Sequence, residues 1–151
     1  MLANFATVDE VCEGVKEIVV VPTPAPGLGS SQGMVAGAHF FVQDKTGKSI
    51  AVEPVDGTLK VHDAPLGVMT NAPTYDWHMT NLANYINLSP KDVTSGTLGS
   101  VTLSAFGTGA GLHGLPGDFT PPSRFVRAAS SARRRRPTQA PRMRCSAPSI
   151  S

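Results

Sequence analysis

Cysteine and histidine are the side chains of this sequence that could act as nucleophile, general base or metal ligand, and their spacing decides how far that goes. The cysteines, Cys12 and Cys145, and the histidines, His39, His62, His78 and His113, are scattered, with neither a disulfide framework nor the close spacing of a metal site. No metal and no cofactor is therefore expected. Cys12 falls on the apolar face of a short helical pattern and reads as a buried core thiol. His78 and Trp77 read as helix packing, and His39 and His62 as parts of a strand meander. Gly107, Gly109 and Gly111 look like a phosphate loop, but no lysine follows at the needed spacing. Asn71 stands at a strand end just before a helix, where an asparagine commonly bonds its own backbone in a turn. Arg124 sits in the first turn of a helix, with Arg127 three residues on and on the same face. Asp118 reads as a cap for that helix.

The elements that must position these residues are legible from pattern. Thr7-Val8-Asp9-Glu10 is a capping box, and Val8, Val11, Cys12 and Val15 recur behind it at helical spacing, so a helix should end near Gly14 to Lys16. Glu17 to Val21 has strand composition and is stopped by Pro22, Pro24 and Pro26. A Pro, Gly and Ser loop follows from Thr23 to Gly33. Runs at Ala38 to Gln43, Ser49 to Glu53 and Thr58 to His62, with turn signals at Asp44 to Gly47 and Asp56-Gly57, predict an antiparallel meander. Ile50, Val52, Leu59 and Val61 should share one face. Leu66 to Thr70 reads as a further strand. Pro73 and Thr74 should open a helix carrying Tyr75, Met79, Leu82 and Ile86 inward. Lys91 to Gly111 looks like loop, with a strand at Ser100 to Phe106. A last helix from about Pro122 should bury Phe125 and Val126.

Charge divides the chain. Residues 1–128 hold seven basic and eleven acidic side chains, whereas residues 129–151 hold six arginines and no acid. The block Arg133 to Arg136 and the absence of apolar periodicity around it predict a disordered tail over 130–151, separate from a domain over 1–129. Nucleic acid or another polyanion on this tail is the minor functional alternative. No apolar run approaches the roughly 20 residues of a membrane-spanning helix.

Two stretches carry a specific resemblance. Leu66-Gly67-Val68-Met69-Thr70-Asn71-Ala72-Pro73, continuing through Tyr75-Asp76-Trp77-His78 to Tyr85, resembles the Thr-Asn-x-Pro segment and following helix of the choloylglycine hydrolase family. Gly114-Leu115-Pro116-Gly117-Asp118 with Ser123-Arg124-Phe125-Val126-Arg127 resembles that family's second signature. The resemblance implies an α+β fold, part of the αββα sandwich of N-terminal-nucleophile hydrolases. It implies hydrolysis of linear amides, either the side-chain amide of penicillin V or the amide of conjugated bile salts. The Asp118 to Arg124 wording leans toward the acylase branch. Partners implied are a small-molecule amide substrate and, for intact members, a homo-oligomer, a tetramer.

By the same resemblance, Asn71 contributes its side-chain amide to the oxyanion hole, and Arg124 is the arginine near the nucleophile, where it would favour the thiolate. The family nucleophile is an N-terminal cysteine whose own α-amino group carries the proton. No residue here matches it, since Cys12 lies within a helix and has residues before it. The chain is thus expected to be the middle of such an enzyme, with an internal Met start and an altered end, inactive and unstable alone. A non-catalytic remnant or interaction module is the alternative. Localisation stays open.

Overall fold

The computed structural model describes residues 4–20 and 38–132, so the loop after Pro22 and the arginine tail lie outside the described residues. The element order is helix α1 (Val8–Gly14), strands β1 (Phe40–Gln43), β2 (Ser49–Val55) and β3 (Thr58–Asp63), helix α2 (Tyr75–Leu82), strands β4 (Ser95–Leu98) and β5 (Val101–Ser104), and helix α3 (Pro121–Ala132).

The first helix starts where the capping box places it. Thr7 Oγ1 accepts from the Glu10 amide, and Glu10 Oε2 accepts from the Thr7 and Ala6 amides at 3.3 and 2.7 Å. A single 3₁₀ turn, Val15–Glu17, ends it. The strand expected at Glu17 to Val21 is not formed over its described part. Glu17 belongs to the 3₁₀ turn and residues 18–20 join no ladder, Val20 N–H bonding only Gly57 O at 3.3 Å. Composition alone makes that run look like a strand, because β-branched residues fit a pleated, half-buried surface but do not by themselves supply a pairing partner.

The meander forms as expected, antiparallel in the order β1-β2-β3. Asp56 and Gly57 both have positive φ, 51° and 78°, the backbone that closes a two-residue hairpin compatible with strand twist. At the other turn Asp44 Oδ1 accepts from the Thr46 amide and hydroxyl, while its Oδ2 accepts from Val8 N–H at 3.2 Å. These bonds, the Thr46 hydroxyl first, hold the Asp44 carboxyl below the usual carboxylate range, and they tie the start of α1 to the sheet.

Because β2 is the central strand, it is buried on both faces. Ile50 and Val52 pack with Val8, Val11, Cys12 and Val15 of the α1 region, joined by Leu59 and Val61. Cys12 is buried there, on the apolar face of α1. Ala51, on the opposite face, packs with Ala64, Val68, Tyr75, Phe125 and Ala129, so α2 and α3 share that side.

Three further expectations are corrected. Leu66 to Thr70 pairs with no strand; it is the connection from β3 to α2, its apolar side chains filling the second core. Helix α2 ends at Leu82 in a 3₁₀ turn, which leaves Ile86 74% exposed rather than inward. The stretch read as loop with one strand is a full hairpin, β4 with β5, turning at Gly99 with φ 59°. Its two strands are exposed throughout, and Val93, Leu98, Val101, Leu103 and Phe106 stand in solvent. Apolar surface of that extent is what a chain ordinarily covers with another part of the protein or a partner.

Candidate active site

Asn71 and Arg124 are 53 residues apart in sequence, and packing of α2 and α3 on one sheet face brings them into contact. Arg124 Nη2 donates to Asn71 Oδ1 at 2.9 Å. Arg124 Nε donates to Phe119 O at 3.0 Å, so the guanidinium plane is held at two points. The bond to Asn71 also fixes the amide. With Oδ1 facing a cation, Nδ2 must point away, presenting its two protons outward. Asn71 is exposed, and its Nδ2 has no acceptor among the described residues.

His78 holds this asparagine from beneath, and Thr70 and Phe125 hold His78. His78 is fully buried on α2, and its Nε2 lies 2.8 Å from Asn71 O and 3.1 Å from Thr70 Oγ1. A carbonyl can only accept, so Nε2 carries the proton. Thr70 Oγ1 in turn donates to Pro121 O at 3.2 Å, linking the segment to the start of α3. The His78 ring stacks on Phe125 with centroids 4.7 Å apart and planes at 5°. The peptide between Ala72 and Pro73 is cis. Asn71 is therefore clamped through its backbone by His78 and through its side chain by Arg124. In the sequence His78 reads only as helix packing. Its only signal was its place seven residues after Asn71, on the inward face of the helix that the same motif begins.

Arg127 does not share the site. Its Nη1 donates to Pro116 O at 2.9 Å and to Asp118 O at 2.5 Å, so it braces the loop before α3. Asp118 organises the same loop. It accepts from the Thr120 amide at 2.9 Å, from Thr120 Oγ1 and from Ser123 Oγ at 2.6 Å. It thus holds the helix start by side chains rather than as the N-cap itself, since α3 begins three residues later. These bonds, Ser123 first, hold the Asp118 carboxyl far below the usual carboxylate range.

A carboxylate whose folded value is lowered contributes stability above its unfolded value, near 3.9, and loses that contribution as pH falls toward the folded value. Asp118→Asn should therefore have a lower thermal midpoint than the parent chain at pH 7, and the difference should shrink as pH is lowered below about 4. Melting curves by circular dichroism between pH 7 and pH 2 check this; a gap independent of pH would assign Asp118 no ionic role.

A fixed amide donor, a guanidinium beside it and an exposed opening are parts suited to stabilising an anion that develops on a carbonyl oxygen. The described residues supply no nucleophile next to them. The family model for linear amide C–N hydrolases of the choloylglycine hydrolase family matches residues 1–141. The chain belongs to that family. It is 46% identical over 129 residues to the bile salt hydrolase/transferase of Clostridium perfringens, which covers 85% of this chain and 38% of the relative. It is 40% identical over 126 residues to the bile salt hydrolase/transferase of Bifidobacterium longum, with 83% and 38% covered. A penicillin V acylase from Pectobacterium atrosepticum is 31% identical over 100 residues, 64% of this chain and 26% of that protein. The crystal structure of a mutant conjugated bile acid hydrolase from Clostridium perfringens matches with TM-score 0.75 at 43% identity, over 89% of this chain and 40% of the other. The fold is accordingly the α+β, antiparallel-sheet fold of the N-terminal-nucleophile hydrolases, and the chain spans about two fifths of the length of these relatives.

Proposed function

We propose that this segment forms the oxyanion-stabilising half of an amidase site acting on conjugated bile salts. The observation that carries it is the 2.9 Å bond by which Arg124 turns the Asn71 amide outward, at the two positions where the family motifs lie. In this reading a cysteine thiolate, supplied by an N-terminal segment that the 151 residues do not contain, attacks the amide carbonyl. The negative charge that develops on the carbonyl oxygen is met by Asn71 Nδ2–H. Arg124, with Nη1 uncommitted among the described residues, keeps the sulfur ionised. The tetrahedral intermediate collapses by breaking the C–N bond, the amine leaving with a proton carried by the cysteine's α-amino group. Water then hydrolyses the remaining thioester to the acid and the free thiol. The Asp118 to Arg124 wording leans toward the acylase branch, yet identities of 46% to a bile salt hydrolase and 31% to a penicillin V acylase weigh the other way.

Hydrolysis needs the nucleophile, so the chain as given should release no amine from glycine- or taurine-conjugated bile salts or from penicillin V. The test joins it in frame to the N-terminal cysteine segment and C-terminal remainder of the Clostridium perfringens relative. The joined protein is expected to hydrolyse conjugated bile salts, measured by amine release, with penicillin V the poorer substrate. A folded, inactive product would overturn the reading, and a preference for penicillin V would overturn the substrate class.

A further inference from the structure

Beneath the site lies a second cluster of polar groups, independent of the amidase reading. Glu53, on β2, is fully buried on the face that α2 covers. Its two oxygens differ. Oε1 accepts the Tyr75 amide proton at 2.7 Å and faces His39 Nδ1 at 3.4 Å. Oε2 is buried without a hydrogen-bond partner, and so is His62 Nε2, although only 3.4 Å separates the two.

Buried polar atoms are ordinarily paired, and a bare carboxylate oxygen in an interior is among the costliest exceptions. The separation is too long for a charge-assisted N–H···O bond, which closes to about 2.7–2.9 Å. It fits two ligands of one cation. Nitrogen and oxygen each about 2.0–2.1 Å from a tetrahedral zinc stand about 3.4 Å from one another. Asp76, in the first turn of α2, supplies a third ligand, and the ligand atoms of Glu53, His62 and Asp76 all lie within 4.8 Å of one another. Asp76 Oδ1 accepts from Trp77 N–H at 2.9 Å and the Thr74 hydroxyl also bonds this carboxyl, so the exposed carboxylate would reach a metal while held by two donors.

We infer that Glu53, His62 and Asp76 form a binding site for a divalent transition-metal cation of the zinc type, with water in the fourth position. Two carboxylates and a neutral imidazole match such an ion in charge and in ligand type. Glu53 and His62 are the inner ligands, and exposed Asp76 gives the ion its route from solvent. The ligands come from β2, β3 and α2, so the metal would pin the helix that carries His78 to the sheet below it. No local spacing could reveal the set, because its members are 9 and 14 residues apart on three elements.

The full 151-residue chain, stripped with EDTA, is titrated with zinc chloride by calorimetry and with cobalt chloride by visible absorption. One zinc per chain is expected, with cobalt giving the intense bands of four-coordinate geometry and zinc raising the thermal midpoint. His62→Gln and Asp76→Asn should each weaken binding about tenfold or more, in the range ligand-shell changes produce. His113→Gln, an exposed histidine elsewhere, should leave it unchanged. Asp76 is at the surface, so its variant tests the site even if changes at Glu53 disturb the core. Zinc binding indifferent to both ligand variants overturns the proposal. So does the absence of saturable binding by chain that keeps its helical circular dichroism, which would leave Glu53 and His62 as a simple ion pair.

Discussion

Asn71→Ala in the joined, nucleophile-bearing protein is expected to lower kcat by about 10²–10³-fold while KM for a conjugated bile salt changes little. The size follows from removing one oxyanion donor. The split follows from timing, since a donor aimed at the charge of the transition state does little for the neutral amide of the ground state. The geometry makes the prediction sharper. Arg124 occupies Asn71 Oδ1 at 2.9 Å, so only the amide NH₂ can face the reacting carbonyl. Asn71→Asp keeps a partner for the arginine yet offers no proton, and should be no more active than the alanine variant. The residue is exposed and its backbone is held separately by His78, so neither change should disturb folding. Steady-state kinetics on all three proteins decide the matter. An alanine variant within tenfold of the parent, or a loss confined to KM, would remove Asn71 from the oxyanion hole.

Much of this arrangement can be read without coordinates, and the parts that cannot have a common cause. Helix α1, the meander and its inward Ile50, Val52, Leu59 and Val61 follow from local rules: a capping box, period-two alternation and two tight turns. The placing of Asn71 and Arg124 follows from resemblance alone. By local pattern each looks ordinary, one a turn asparagine and the other a surface arginine. Their contact is a property of how two helices pack on one sheet face, to which no sequence window is sensitive.

The failures are of the same kind. Leu66 to Thr70 has the apolar residues of a strand, but Val68 is buried against Phe125 and Tyr75 with no ladder partner, so packing and not pairing explains its composition. In the sequence Glu53 is no more than the end of a strand run, whereas α2 seals the face on which it sits. His78 reads as helix packing, and it does pack, through its stacking on Phe125. Its second role, holding the Asn71 carbonyl, uses the same ring. Where one side chain does two things, a sequence reading finds the commoner one.

That double use makes Phe125 the position whose loss should be felt furthest. Phe125→Ala is expected to destabilise the joined, nucleophile-bearing protein by about 3–5 kcal/mol, the range for emptying a large aromatic site in a packed core. Phe125 is fully buried, stacks on His78 and meets Tyr75 edge-on with centroids 5.8 Å apart. Its removal therefore takes away both aromatic contacts as well as buried area. The neighbours cannot easily refill the space, because His78 is held by Asn71 O and Thr70 Oγ1, and Tyr75 by its amide on Glu53. Phe125→Leu keeps most of the volume and should cost roughly 1–2 kcal/mol. Urea unfolding followed by circular dichroism measures both. In the joined protein Phe125→Leu should also lower kcat, because the ring that keeps His78 flat beneath Asn71 is gone while the core remains filled. A leucine variant with full activity would mean that His78 is held well enough by its hydrogen bonds, and that stacking serves the core alone.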